Sequence, residues 1–287
     1  MLYTMKDALK VAQKNKFALG AYNIGSSELL RIAVDACCEN NAPFILAIHP
    51  NELNYLTDGF IEYAKYEAKR VNVPVVIHLD HGASLEQIKR AIGCGFTSVM
   101  IDASSKSFEE NIKITKEVVD YAKNYNVSVE AELGTIGDLG ETLEGGTPTI
   151  IYTDPVKAGE FVEKTNIDTL AVAVGTSHGI YPKHMDPHIR TDIIKEITKN
   201  VSIPLVLHGG SSNPDSEISE AVALGVCKVN ISSDIKLALF NEVRKYLNAN
   251  ELALEPLSIF PDGINSAKKV LIHKLGLLNC VDKAKLY

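Results

Sequence analysis

The chain contains no long block of consecutive lysines and arginines, and its formal net charge is −7. It therefore carries no electrostatic footprint for nucleic acid. No apolar stretch reaches the roughly 18 residues that a membrane-spanning helix needs. Residues 1–7 lack the basic segment and apolar core of a secretory leader. Cysteine is scarce: Cys37, Cys38, Cys94, Cys227 and Cys280 are odd in number and form no CxxC pair. Neither a disulfide framework nor a thiolate zinc cluster is indicated, and buried thiols in a reducing compartment are expected. These absences together predict a soluble, cytoplasmic chain with no nucleic-acid or membrane partner.

What is present is a chain of 287 residues, 46% hydrophobic and 23% charged, which can bury a core of full size. Three apolar runs each end in histidine: residues 73–81 (VPVVIHLDH), 170–179 (LAVAVGTSHG) and 203–211 (IPLVLHGGS). A short β-branched run that stops at a polar, glycine-flanked group reads as a buried parallel strand delivering that group at its carboxyl end. Strand-like runs fall at 17–23, 43–49, 73–79, 97–101, 127–133, 169–175, 203–208 and 227–231. Amphipathic stretches lie between them, such as 27–39 and 108–125. Ser84 with Gln87, and Asp154 before Pro155, are helix-start signals. About eight alternations favour a closed (β/α)8 TIM barrel over an open sheet. The expectation is one domain over 1–287, with 251–287 a helical extension at an oligomer contact. The one long irregular stretch, 134–149, has the length of a functional loop.

On a barrel, Asp80, His81, His178, His208 and Asn230 fall at the carboxyl ends of strands, where barrel enzymes place their active sites. Three imidazoles with an open fourth position suit catalytic Zn²⁺. A hydrogen-bonded structural role is the alternative for any one of them taken singly. His78 shares a face with Asp80 and is expected to support the site rather than bind a metal. His184, His188 and His273 lie away from strand ends and are expected in solvent, whereas His49 ends the second strand. The turns 209–212 (GGSS) and 230–233 (NISS) each precede a helix. Their backbone N–H groups are natural anion receptors, and this is the usual barrel phosphate site. Glu130 and Glu132 alternate on one strand face, with Glu132 a candidate second partner for a cation. Glu141 and Glu144 sit in the long loop, where a mobile carboxylate can transfer protons.

These residues resemble the class II, metal-dependent ketose-bisphosphate aldolases. The segments 73–82 (VPVVIHLDHG), 129–134 (VEAELG), 152–155 (YTDP), 173–179 (AVGTSHG), 207–211 (LHGGS) and 228–234 (KVNISSD) match that family in order. The similarity spans residues 1–250 and includes the tagatose- and fructose-bisphosphate branches. It implies an aldehyde-lyase of carbohydrate metabolism and glycolysis, a homodimer or homotetramer. The reaction would reversibly cleave a ketose 1,6-bisphosphate to dihydroxyacetone phosphate and glyceraldehyde 3-phosphate. By the same resemblance His81, His178 and His208 hold one catalytic Zn²⁺ per subunit, with room for a monovalent cation. Asp80 becomes the acid/base at the C4 hydroxyl, and Glu141 the base exchanging the C1 proton of dihydroxyacetone phosphate. Gly179, Gly209, Gly210, Ser211, Asn230, Ile231, Ser232 and Ser233 become the substrate-binding set.

Three positions depart from the family pattern. Ser212 replaces the last glycine of His-Gly-x-Ser-Gly, which reshapes the first phosphate loop without removing its donors. The mobile loop reads GDLGE over 137–141, so a one-residue shift decides the glutamate. His49 and Lys236 stand where fructose-bisphosphate enzymes use serine and arginine for the distal phosphate. Cleavage of a ketose 1-phosphate is thus the alternative substrate reading, and a non-catalytic phosphosugar-binding protein is the alternative in another class. A metal-dependent hydrolase is disfavoured, because Tyr22 and Asn23 stand where its usual His-x-His would be.

Overall fold

Short β-branched runs bounded by proline and glycine have little choice but to pair with one another once helices cover one face and the other closes on itself as a barrel interior. The computed structural model describes residues 1–140 and 146–287. Eight strands close into a parallel barrel: β1 (Leu19–Asn23), β2 (Phe44–Ile48), β3 (Val75–Gly82), β4 (Ser98–Ile101), β5 (Ser128–Leu133), β6 (Thr169–Val172), β7 (Leu205–Leu207) and β8 (Val226–Ile231). Each pairs with its neighbours in chain order, and β8 closes on β1 with Ala21 opposite Asn230. Helices follow the strands: α2 (Ser27–Glu39), α3 (Pro50–Arg70), α4 (Leu85–Cys94), α5 (Phe108–Ala122), α6 (Pro155–Thr165), α7 (Thr191–Asn200), α8 (Asp215–Leu224) and α9 (Ser233–Ala249). The (β/α)8 barrel expected from the alternation is the observed architecture.

The helix starts follow their side chains. Ser84 Oγ accepts from the Gln87 N–H, and Asp154 accepts from the N–H groups of Val156 and Lys157 ahead of Pro155 at the first helical position. An additional helix, α1 (Met5–Asn15), lies across the amino-terminal end of the barrel. Its buried Met5, Ala8, Leu9 and Ala12 pack toward β3, β5 and β8. With that end plugged, only the carboxyl end is open for chemistry.

The expected strand over 169–175 ends three residues early. The run 169–175 leaves the barrel after Val172, because Thr153 takes over the pairing of the next residue. The Ala173 N–H donates to Thr153 Oγ1, and the Ala173 carbonyl accepts from the Thr153 N–H. His178 is therefore not at the end of β6. It lies on a two-residue strand, Ser177–His178, paired in parallel with Gly137–Asp138 from the long stretch after β5. Residues 137 and 138 of that stretch thus position a histidine.

The tail after residue 250 forms α10 (Pro256–Ile259) and α11 (Pro261–Leu277). α11 packs against α9 and α2 of its own chain, burying Ala267, Leu271 and Leu275. It thus packs on its own barrel, and Leu252, Leu254 and Leu257 before it are exposed. Leu271→Ala should cost about 2–5 kcal/mol, since it empties a sealed site between two helices. Urea unfolding checks this, and an unchanged midpoint would show that α11 does not brace the barrel. No helix among the described residues is long and apolar enough to cross a membrane.

Candidate active site

In a parallel strand every second residue points the same way, so polar residues at i and i+2 stack into tiers inside the barrel. Three strands carry such pairs. His78 and Asp80 come from β3, Glu130 and Glu132 from β5, and Lys228 and Asn230 from β8, all with 5% exposure or less. The lower tier joins His78, Glu130 and Lys228. The upper tier holds Asp80, Glu132 and Asn230 at the open end.

The middle of the site depends on a break in β3. Between Leu79 and Gly82 the register to β4 shifts by one residue, so that Asp80 and His81 together oppose Met100. This is a β-bulge, and His81 adopts φ 51°, a left-handed conformation that costs a non-glycine residue roughly 1–3 kcal/mol. The bulge lets two consecutive residues serve one cavity, which a regular strand forbids. Gly82 makes the close approach possible, since a Cβ there would lie 2.6 Å from the Met100 carbonyl oxygen.

His81, His178 and His208 converge, with one ring nitrogen of each within 4.8 Å of the others. His208 follows β7 directly, and Gly209 at φ 62° lets that turn approach Ser177, next to His178. His81 Nε2 and His208 Nδ1 are 2.8 Å apart. Their outer nitrogens each meet a carboxylate: His81 Nδ1 lies 2.9 Å from Asp102 and His208 Nε2 lies 2.9 Å from Glu130. A carboxylate behind an imidazole fixes its orientation and raises its basicity, as in zinc sites. Burial disfavours charge on His81, yet Asp80 and Asp102 raise it to about 10. Burial and the neighbouring His81 lower His208 to about 4. One proton thus sits between the two rings in the metal-free chain, with His81 donating and His208 accepting.

Asp80 is buried and bonded on both oxygens. Oδ1 accepts from Asn230 Nδ2 at 3.0 Å, and Oδ2 accepts from Asn23 Nδ2 at 3.2 Å. Burial opposes its charge, but His81, Lys228 and His208 outweigh that and hold the carboxyl well below the usual range. Asp80 is therefore an ionised base pinned by two amides. Glu132 differs: burial, then the charge of Asp102, pushes it well above the usual carboxylate range. Its Oε2 has no hydrogen-bond partner among the described residues, and with His81 and Asp102 it forms a second group of metal-capable atoms.

The two turns proposed as anion receptors are adjacent. The Gly210 N–H donates to the Asn230 carbonyl at 2.9 Å, joining the turn after β7 to the end of β8. The Ser212 N–H donates to both oxygens of Asp234, and Asp234 pairs with Lys274 of α11 at 2.8 Å. Two of the expected donors are thus committed within the protein, and Ser212, at φ 57°, does not keep its N–H available. Ser211 is buried beside them, its Oγ accepting from the Asp234 N–H. Ser232 Oγ is buried without a partner among the described residues, Ile231 precedes it, and Ser233 begins α9. Gly179, at φ 108°, follows His178.

His49 caps α3: its Nδ1 accepts from the Asn51 N–H, and its own N–H donates to Glu52. Its ring centroid is 6.5 Å from that of His81. Lys236 Nζ lies 3.2 Å from the other Glu52 oxygen, so the rim beside His81 carries an acid as well as a base. His188 and His273 are exposed and paired with Glu217 and Asp215, and His184 is exposed, as expected. Glu141 and Glu144 lie outside the described residues. Asn23, Asp102 and Lys228 were not singled out from sequence as chemistry-bearing. A lysine in an otherwise apolar strand was the available signal for Lys228, and an aspartate just past a strand end the signal for Asp102.

Comparison with known proteins agrees with this geometry. A family model described as class-II fructose-bisphosphate aldolase matches residues 3–283. A fructose-bisphosphate aldolase of Staphylococcus epidermidis is 38% identical over 289 residues, covering 99% of each chain. The crystal structure of the YdjI aldolase from Escherichia coli superposes with a TM-score of 0.85 at 32% identity, over 99% of this chain and 100% of that one. A fructose-bisphosphate aldolase from Campylobacter jejuni, 24% identical, shares the fold with a TM-score of 0.81 over 98% of this chain and 96% of that one.

Proposed function

We propose, on the premise that this chain belongs to the class II fructose-bisphosphate aldolase family, that it cleaves a phosphorylated ketose with the help of one zinc ion held by His81, His178 and His208. Membership makes it an aldehyde-lyase acting on phosphorylated sugars. The observation that carries the zinc reading is the donor set itself. Three convergent imidazoles, two of them backed by Asp102 and Glu130, suit Zn²⁺ and leave a position for substrate oxygen. When bound, the ion would supply Lewis-acid polarisation of the ketose oxygens and lower the cost of charge on the dihydroxyacetone phosphate half.

The chain's own residues do the rest. Asp80, ionised and pinned by Asn23 and Asn230, takes the proton from the C4 hydroxyl. The C3–C4 bond then breaks, its electron pair stays on the dihydroxyacetone phosphate half, and C4 becomes the aldehyde carbon. Glu141 is the second base in this reading, returning a proton to the hydroxymethyl carbon. Gly179, Gly209, Gly210, Ser211 and residues 230–233 form the phosphate end. The buried Ser232 Oγ, without a partner among the described residues, supports that assignment. Holding the phosphate there fixes the scissile bond against Asp80. A monovalent cation is assigned to the neighbourhood of Glu132, and a homodimer or homotetramer is the assembly proposed.

Fructose and tagatose 1,6-bisphosphate are the first substrates of this reading. A specific observation favours a second reading, a ketose 1-phosphate. Lys236 at the rim is paired with Glu52, so a distal phosphate would face a carboxylate. A coupled assay for dihydroxyacetone phosphate across fructose, tagatose and sorbose bisphosphates and the ketose 1-phosphates, with and without zinc, decides between them. No turnover of any of these would sink both. Glu52→Gln keeps the helix cap but removes the charge. It should lower KM for a bisphosphate by about 3–5-fold, the scale of a partly exposed ion pair, and leave a 1-phosphate unchanged.

A further inference from the structure

Below the three imidazoles, the hydrogen bonds of the sealed lower tier run in one consistent direction, set by Lys228. An ammonium has three donors and no acceptor. Lys228 Nζ lies 2.8 Å from both Glu130 oxygens and 3.3 Å from His78 Nε2. His78 must therefore accept at Nε2, which leaves its Nδ1–H to donate to Ser98 Oγ at 2.9 Å. Both Glu130 oxygens accept from Lys228, so the 2.9 Å contact to His208 Nε2 requires that nitrogen to carry the hydrogen. A neutral imidazole has one N–H and one lone pair. The lone pair of His208 is then on Nδ1, the atom that faces His81 Nε2 inside the metal-capable cluster.

We propose that Lys228 is a positioning residue for the metal centre: by donating to both Glu130 oxygens it fixes the tautomer in which His208 turns its Nδ1 lone pair toward the ion. The inference rests on the zinc reading above. Lys228 is fully buried, on the strand that supplies Asn230 two residues later. Its ammonium is hydrogen-bonded to Glu130 and His78 and touches none of the three imidazoles of the cluster itself, although its charge also reaches Asp80. Without that ammonium Glu130 keeps only the 3.5 Å donation from Thr169 Oγ1 beside its contact to His208. Its carboxylate is then no longer clamped where it selects the Nε2–H form, and His208 can take either tautomer. Half of those arrangements put a hydrogen where the metal must bind.

The test measures zinc affinity by competition with a chromogenic chelator, and the His208 tautomer by long-range ¹H–¹⁵N correlation in histidine-labelled protein. In the native chain the Nε2–H form should be the one observed; a predominant Nδ1–H form would overturn the inference without any variant. Lys228→Met should weaken zinc binding by about 10–100-fold, the usual effect of losing a partner behind a metal ligand, and release His208 into a mixture of tautomers. Removing one member of a buried ion pair can prevent folding. The neutral pair Lys228→Met/Glu130→Gln is therefore measured beside it, with the same expected direction. Zinc affinity unchanged in a folded variant overturns the proposal. So does weakened binding with His208 still fixed as Nε2–H, because that pattern reports a purely structural role. Absence of zinc binding by the native chain would instead refute the metal reading, and the tautomer measurement would still decide the role of Lys228.

Discussion

Stripping the metal is expected to reduce cleavage by about 10³-fold or more, with recovery on adding zinc. The scale comes from the chemistry: metal polarisation supplies several kcal/mol to the transition state, and each 1.36 kcal/mol is tenfold in rate. The described residues suggest no substitute for the ion. Lys228, the one lysine inside the barrel among them, is bonded to Glu130 and His78 and sealed from the cavity. A Schiff-base route through it would require breaking that tier. Borohydride in the presence of substrate should therefore leave the enzyme active. Full activity in a strong chelator, or borohydride inactivation dependent on substrate, would refute the metal-dependent mechanism.

Replacing Asp80 by alanine should lower kcat by about 10²–10⁴, the range expected for losing a positioned general base. Zinc affinity should remain near native, since the three imidazoles and the carboxylates behind His81 and His208 stay in place. Asp80→Asn is the sharper variant. It keeps the shape and can still bond to one of the two amides, but it has no basic oxygen to take the C4 hydroxyl proton. Equal loss in both variants would mean that proton transfer, rather than packing, is what Asp80 supplies. Turnover unchanged in either would refute Asp80 as the base at the C4 hydroxyl. The pH dependence has a defined sign. The Asp80 carboxyl is held below the usual carboxylate range, so base function should persist below the pH at which a free aspartate is half protonated.

The barrel was legible because its pattern is local and repeated. Each of the eight strands lies on an apolar run visible in the sequence, and glycine or proline marks most of the turns. The convergence of His81 and His208 followed from the same rule, since a parallel barrel places every strand end on one face. His178 was legible as a site residue but not in its manner of delivery. Its run does not say that Thr153 will capture Ala173 and end β6 early, or that Gly137–Asp138 will pair with Ser177–His178. The phosphate turns were legible as glycine- and serine-rich. That the Ser212 N–H is spent on Asp234, held in turn by a lysine from α11, depends on residues 22 and 62 positions away, counting from 212 to 234 and to 274.

By itself the sequence determined the period, the strand ends and the chemical types available: imidazoles, a flanking aspartate, glycine turns. Those follow from local sterics and from which residues can be buried. Only the tertiary structure decided what each group does. The bulge that lets Asp80 and His81 enter one cavity is a register shift against β4, and no strand contains its own register. The ionised state of Asp80, the raised proton affinity of Glu132 and the orientation of His208 are set by charges and donors brought from other strands into a buried space. In such a space a partner at 3 Å outweighs anything adjacent in the chain, and closing the barrel is what supplies those partners.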